Sequence, residues 1–469
     1  MNKGKLSYFF GDKAFYKKVL AVALPMIIQN GITNFVNLLD NIMVGSVGTE
    51  PMAAVAIVNK LIFVYICCLF GGCAGVGIFT AQFYGKGDYD GVKKCFRLKL
   101  YTVLTILSAA LVTLTFAGES LISLFLHEGS ETGDLALTLE YAKEYLSIIV
   151  IGLIPQAISE CYAGTLRETQ HTALPMAAGA TAVFTNLLLN YILIFGNFGA
   201  PALGIKGAAI ATVTSKFIEF FIIAITVHVR KDKYPFFVGA YRKVTLSLSF
   251  VSNVLKKSLP LLVNEAFWAS GTAAMAYCYS LRGLAVVAGY NISTTVTDIF
   301  NIVALAFGNA IAIIVGNLLG ANKMDEAKRS DAQLIVFAVI ISIGLGAILF
   351  AFAPFFPLLY KNTAEEAKQL ATSFLRIYSV YLVINVVACS CYFTLRAGGK
   401  TFITFLFDSV FMICVNFPFT FVLAYFTDMP IVPLYALSLS IEIIKCVMGI
   451  IFIKSGKWMQ NIVKEEPAP

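Results

Sequence analysis

The chain has 469 residues, 58% hydrophobic and 13% charged, with 35 basic and 27 acidic side chains giving a formal net charge of +8. Soluble domains carry roughly 25% charged residues, so this chain cannot coat a 51.0 kDa globule with charge, and its mean hydropathy of +0.80 agrees. A soluble enzyme, a disordered chain and a coiled coil are excluded, which leaves an all-α integral membrane protein whose excess of positive charge concerns the sides of a bilayer rather than nucleic acid.

The amino-terminal stretch is basic (Lys3, Lys5, Lys13, Lys17, Lys18) and shows no short apolar region followed by a cleavage site. It reads as a cytoplasmic lead-in with an interfacial helix. Twelve stretches then follow that can each cross roughly 30 Å of hydrocarbon. They lie near 19–43, 52–83, 98–117, 143–165, 174–196, 205–228, 254–281, 285–317, 332–353, 370–395, 402–426 and 432–453. Several are longer than needed, so tilt and protrusion are expected. A basic linker from about Arg230 to Asn253 joins the sixth to the seventh.

With the amino terminus inside, 26 Lys and Arg fall on that side and five on the other (Lys143, Lys206, Arg282, Lys361, Lys368). Four lie within spans: Lys60, Lys216, Arg376 and Lys445. The positive-inside rule then places both termini in the cytoplasm. Of ten cysteines, most sit in apolar stretches (Cys67, Cys68, Cys73, Cys278, Cys389, Cys391, Cys414), and the three histidines (His127, His171, His228) show no metal-type spacing with them. The cysteines read as small apolar fillers rather than a disulfide or zinc framework.

The two halves repeat. Leu24-Pro25 recurs as Leu259-Pro260, and the same offset of 235 carries Gly85 to Gly320, Asp90 to Asp325 and Lys93-Lys94 to Lys328-Arg329. At an offset of 229, Thr165-Leu166-Arg167 recurs as Thr394-Leu395-Arg396 and Lys216 as Lys445. This predicts two six-helix lobes, residues 1–235 and 236–469. Six is even, so the repeat is parallel, with its pseudo-two-fold axis along the membrane normal. Two lobes of this kind are the architecture of an alternating-access transporter.

A charge near the membrane centre is costly, at least about 2.5–3.5 kcal/mol on insertion scales, so each is a functional candidate. Asp40 follows a run of amides in span 1. Asn30, Asn34 and Asn37 recur at i, i+4, i+7 and make a polar stripe that must face protein or water. The bland alternative is a helix-end carboxylate near the headgroups. Asn186 and Asn190 share one face of span 5, and Thr212 lies in span 6; an interhelical hydrogen-bond role is the alternative for the asparagines. Glu265 stands beside Asn264 in span 7, and Asp298 and Asp408 are further carboxylates within spans. Lys216/Glu219 and Glu442/Lys445 read as local i, i+3 pairs. Arg167 and Arg396 are expected to cap carbonyls or lock an inner gate, while Lys60 and Arg376 find no assignment. Pro25 and Pro260 each remove a helix hydrogen bond and are predicted hinges.

The chain resembles the multidrug and toxic compound extrusion (MATE) family of the multidrug/oligosaccharidyl-lipid/polysaccharide flippase superfamily. The resemblance rests on "LPMIIQNGITNFVNLLDNIMVG", "GVGIFTAQFYGKGDYDGVKK", "CYAGTLRETQ", "FTNLLLNYILIFG" with "GIKGAAIAT", and "CYFTLRAGGK", in order across nearly the whole chain. It implies a V-shaped fold of six plus six helices and cation-coupled efflux. It also implies an amino-terminal-lobe cation or proton site at Asp40, Asn186, Asn190 and Thr212. The chain departs from the pattern at Asn190, where many relatives carry a second aspartate. Glu265 occupies the place of a carboxyl-lobe cation-site glutamate, but the aspartate that accompanies it in that branch is here Asn385, with Gln156 as its repeat mate, so the second site is diluted.

The resulting expectation is a monomeric secondary antiporter in a prokaryotic plasma membrane. It would export small amphipathic or cationic molecules in exchange for H⁺ or Na⁺, with no cofactor and no nucleic-acid partner. The competing reading is a flippase for a lipid-linked precursor on the same fold, which would favour several unpaired basic residues in the spans. An enzyme is not expected, since no His-Glu metal motif, phosphate loop or membrane Ser/His arrangement occurs.

Overall fold

The computed structural model describes residues 8–125, 134–242, 245–360 and 363–464, and among these it contains helices and no strand. Lys3, Lys5, His127, Lys243 and Lys361 lie outside the described residues. Among the described residues twelve long helices follow one another: α1 (Lys13–Gly45), α2 (Thr49–Lys86), α3 (Tyr89–Ser123), α4 (Leu135–Glu168), α5 (Ala173–Phe195), α6 (Ile205–Val229), α7 (Leu248–Ser280), α8 (Leu284–Gly320), α9 (Met324–Phe352), α10 (Glu365–Ala397), α11 (Thr401–Phe426) and α12 (Ile431–Lys454). Eleven are long and apolar enough to cross a membrane. The exception is α7, whose 33 residues suffice in length at about 1.5 Å each; Lys256, Lys257 and Glu265 lower its hydropathy. The helices overrun the predicted spans, as expected of tilted or protruding segments.

The contacts divide the chain into two compact units. One comprises Ile28–Thr80 and Tyr89–Ser252, the other Met1–Ile27, Ala81–Asp88 and Asn253–Pro469. This division follows packing, whereas the division at 235/236 follows the repeat. The helices α1 and α2 pass from one unit into the other along their length.

In the first unit α6 packs on both α4 and α5, and α3 packs on α4. The start of α4 is fixed by Asp134, whose carboxylate accepts from the amides of Ala136 (2.9 Å) and Leu137 (3.1 Å), satisfying donors that a helix start leaves open. The linker after α6 is docked: Tyr234, Phe236 and Phe237 are buried, with the Phe237 ring edge-on to Phe96 at 4.9 Å. Beneath it, fully buried Lys99 of α3 forms an ion pair with Glu168 at the end of α4.

In the second unit α10 is central, packing on α8, α9 and α12. One end is an aromatic cluster of Tyr279, Phe374 and Tyr435 with Tyr290 against it. At the other end Trp458 is 1% exposed. Residues 460–463 run back over Gln82, whose amide donates to Ala397 O and Gln460 O (3.0 Å each) and accepts from Ile462 N (2.8 Å). The helix α11 is irregular: Leu406–Val410 and Met412–Asn416 are π turns, a rare form that occurs mostly as single turns within α-helices.

Candidate functional site

The helix α5 presents one buried stripe at four-residue spacing: Ala178, Ala182, Asn186, Asn190 and Ile194. Its small residues permit close packing. Near its end Gly207 of α6 comes so close that a Cβ would lie 2.6 Å from Leu193 O. The two helices run antiparallel from that contact, which brings Thr212 of α6 level with Asn186. Gly196, in the left-handed region at φ 72°, closes α5 and lets the chain turn back at no Cβ cost.

Asp40 of α1 meets this stripe. The Asn190 amide nitrogen donates to Asp40 Oδ1 at 2.6 Å. Asn186 bridges Asp40 and Thr212: with its nitrogen toward the carboxylate it lies 2.9 and 3.1 Å from the two oxygens, and its own oxygen then accepts from Thr212 Oγ1 and N at 3.2 Å. Amide orientation follows from such partners. Tyr145, buried on α4, lies within electrostatic range of Asp40. The Asn190 carbonyl oxygen is buried with no hydrogen-bond partner among the described residues. The four residues implied by the resemblance are therefore brought together, and they offer a carboxylate, an unpartnered carbonyl and a hydroxyl. That donor set fits a hard monovalent cation bound through oxygen, or a proton on the carboxylate. Asn34 and Asn37 are exposed on α1, Asn37 three residues before Asp40 on the same helix.

The remaining candidates lie elsewhere. Gln156 is half-buried on α4. Asn385 donates to Asn301 Oδ1 at 2.9 Å, as does the Tyr378 hydroxyl at 2.6 Å; Asp298 is exposed one turn before Asn301. Glu265 is half-buried on α7, in electrostatic range of Arg396 and Asp408. Its neighbour Asn264 is the better connected: its amide donates to Asp408 Oδ2 at 3.2 Å, and its oxygens accept from Ser409 at 2.7 and 2.8 Å. Lys445 does more than pair locally. It reaches Asp408 at 2.6 Å as well as Glu442 at 3.5 Å. Sequence reading missed this link because 408 and 445 are joined only by the packing of α11 beside α12. Its repeat mate Lys216 keeps to Glu219 at 3.8 Å. Lys60 and Arg376 lie over the rings of Phe125 and Phe350, at 5.5 and 5.7 Å, and Arg167 pairs with Glu160. Pro25 and Pro260 lie inside α1 and α7, which stay helical through them. Among the described residues no group of three or more His, Cys, Asp or Glu is placed to hold a metal ion.

The MatE family profile matches the chain twice, over residues 25–192 and 260–422. The chain belongs to the MatE family. The two matches begin at Pro25 and Pro260, the same 235-residue offset that the sequence repeat shows. Members of MatE are membrane transporters, and this chain is one rather than an enzyme. It is 23% identical over 452 residues to a probable multidrug resistance protein NorM of Thermotoga maritima, covering 95% of this chain and 94% of that one. It is 27% identical over 419 residues to the NorM of Halalkalibacterium halodurans, covering 88% of each. Among solved structures, an outward-facing multidrug resistance MATE transporter of the MOP superfamily superposes at a TM-score of 0.84, with 20% identity over 97% of this chain and 99% of that chain. A substituted form of the Vibrio cholerae MATE transporter VcmN gives 0.85, with 18% identity over 96% of this chain and 98% of that chain. These likenesses establish the MATE fold.

Proposed function

We propose that this MatE member is a secondary multidrug antiporter. It exports small amphipathic or cationic molecules in exchange for H⁺ or Na⁺, as a monomer with both termini in the cytoplasm, its working lobes being the sequence halves 1–235 and 236–469. The observation that carries this reading is the Asp40 carboxylate held by Asn186 and Asn190 beside the unpartnered Asn190 carbonyl. A half-buried carboxylate with two neutral donors keeps its negative charge uncompensated, and an incoming cation or proton removes it. Ion and substrate then favour different states of one two-state element, which is what exchange requires. The names of the curated relatives, multidrug resistance proteins, support the substrate class. The four basic residues within spans already have partners, which weighs against a pyrophosphate-binding flippase.

The test is ethidium or norfloxacin efflux in everted vesicles under an imposed pH or Na⁺ gradient, for wild type and Asp40→Asn. Loss of gradient-driven efflux in the variant is expected, and the gradient that drives wild type names the ion. Full gradient-driven efflux by Asp40→Asn overturns the coupling assignment. Glu265→Gln in the same assay reports on the carboxyl-terminal half, where Glu265 is proposed as a second coupling residue.

A further inference from the structure

The helix α8, long and apolar enough to cross a membrane, leaves one side open. Val286, Ile292, Val296, Ile302, Ala306 and Ala310 are buried, and the helix packs on α9 and α10. Asn291, Thr295, Asp298 and Leu305 are exposed, and Thr294, Asn301 and Asn309 are half-buried. Positions 291, 294, 298, 305 and 309 fall within an arc of about 60°, with 295 and 301 at its two edges. This open side is polar at every one of these positions but Leu305.

Asp298 is the only charged side chain between Leu284 and Gly320. Tyr290 packs on the aromatic cluster at one end of this unit, as residues of an interfacial belt do. Asp298 lies eight residues further along α8, about 12 Å deeper at 1.5 Å per residue. That depth falls inside a hydrocarbon layer of roughly 30 Å. A carboxylate there is costly against lipid tails, so the side of α8 that carries it faces water. Among the described residues no cation faces Asp298 and no hydrogen bond holds it.

Two tyrosines stand near enough to feel its charge, Tyr290 and Tyr378. The Tyr378 hydroxyl donates to Asn301 Oδ1 at 2.6 Å, Asn385 donates to the same oxygen at 2.9 Å, and the Tyr378 ring meets Tyr381 edge-on at 5.3 Å. Tyr290 and Tyr381 are half-buried, so part of each ring is open. A metal ion such as Na⁺ requires several open oxygens at once. Here one carboxylate stands alone, and the Asn301 carbonyl oxygen, one turn away, already accepts two hydrogen bonds, which fills both of its lone pairs. An organic cation requires one counter-charge together with apolar and aromatic surface.

We propose that the open side of α8 is a recognition site for an organic monocation, with Asp298 as its counter-charge and Tyr290, Tyr378 and Tyr381 as its aromatic surface. Asp298 is then a specificity-determining residue that meets the cargo rather than the coupling ion. Asn301 and Asn385 position Tyr378 through its hydroxyl. Asn291 and Thr295 keep the approach to the carboxylate wet. The inference deepens the antiport reading and rests on it for its physiological use, whereas binding itself is measured without an ion gradient.

The test uses purified full-length protein and tritiated tetraphenylphosphonium. Asp298→Asn removes the charge and keeps the shape, and should weaken binding about tenfold, as expected for the loss of one partly screened charge contact. Asp298→Glu should recover most of the affinity. Binding of radioactive Na⁺ should be the same in Asp298→Asn as in wild type. A second readout concerns the face itself. In membrane vesicles of both orientations, Thr295→Cys should add a thiol that a quaternary-ammonium methanethiosulfonate modifies several times faster than its sulfonate analogue, beyond their intrinsic difference. Tetraphenylphosphonium should slow that reaction, and Asp298→Asn should remove the preference. The proposal is overturned by an absence of saturable binding to wild type, by unchanged affinity in Asp298→Asn, or by a Thr295→Cys thiol that neither reagent reaches. Loss of Na⁺ binding in Asp298→Asn would make Asp298 a ligand of the coupling ion and overturn it as well. Full efflux by Asp40→Asn would sink the coupling reading while leaving these binding outcomes untouched.

Discussion

Gly85 lies so close to Asn317 that a Cβ on it would sit 1.8 Å from the Asn317 carbonyl oxygen, and Gly320 repeats the contact with Gln82 O at the same 1.8 Å. Residues 82 and 317, like 85 and 320, are 235 apart, so the ends of α2 and α8 cross about a point where the repeat is symmetric. A backbone carbonyl cannot rotate aside as a side chain can. Gly85→Ala or Gly320→Ala should therefore cost at least about 1–3 kcal/mol, the usual range for overpacking. Thermal unfolding in detergent should show a lowered midpoint for either. Gly344→Ala, with nothing near its Cβ position, should be neutral. Equal midpoints for all three would mean that α2 and α8 do not cross here.

The buried ion pair of Lys99 and Glu168 makes a second prediction. Lys99 is fully buried, with Thr165 Oγ1 3.5 Å away as a further partner. Removing one member of a buried pair strands the other, at about 3–5 kcal/mol, whereas removing both together is often near neutral. Lys99→Met should thus destabilise strongly, and Lys99→Met with Glu168→Met should recover most of the loss. Additive effects in the double variant would show that the pair is not formed.

The order of the helices and the repeat were legible in the sequence because hydropathy and spacing are local properties. The Asp40 group was legible only through resemblance: a carboxylate at 40 and amides at 186 and 190 share no local pattern, whereas Asn30, Asn34 and Asn37 share a helix period within α1 alone. The link from Lys445 to Asp408 was hidden for a related reason. Glu442 three residues away is a sufficient partner by spacing alone, and nothing short of the packing of α11 beside α12 reveals the second. The linker likewise reads as basic and polar, yet Tyr234, Phe236 and Phe237 dock it.

That docking gives stability a pH dependence. His171, in the loop between α4 and α5, is half-buried with its ring 5.2 Å from Tyr234 and Nδ1 3.3 Å from Thr169 Oγ1. Burial pushes its pKa below the ordinary value, the nearby Lys233 adds to this, and Thr169 opposes it. Above the unfolded value of about 6.5 neither state is protonated and nothing is lost. Below it the unfolded chain takes up the proton first, so stability falls with falling pH until the folded histidine also protonates. His171→Gln should flatten the part of this fall that begins near the unfolded value of about 6.5 and continues toward acidic pH. An identical pH profile of the unfolding midpoint in both proteins would refute the assignment.

Asn190→Asp asks what a second carboxylate does at the candidate site. The amide nitrogen it replaces is 2.6 Å from Asp40, and two carboxylates so close cannot both remain ionised without a cation or proton between them. The variant should bind radioactive Na⁺ more tightly than wild type, with a lower half-saturating concentration, and Asp40→Asn should remove the gain. Unchanged Na⁺ affinity would mean that the carboxylates do not face each other.

Pro25 stands two residues before the point, between Ile27 and Ile28, where α1 leaves one compact unit for the other. Proline has no amide hydrogen, so the helix lacks one rung at this place and bends there at lower cost. If coupling through Asp40 requires α1 to flex, Pro25→Ala should slow ethidium efflux severalfold. It should also leave the unfolding midpoint equal or higher, because it restores a helix hydrogen bond. Pro260→Ala tests the repeat-related position in α7, and the two effects should be independent if each helix bends within its own half. Efflux at the wild-type rate in Pro25→Ala would show that the missing rung is not used in transport.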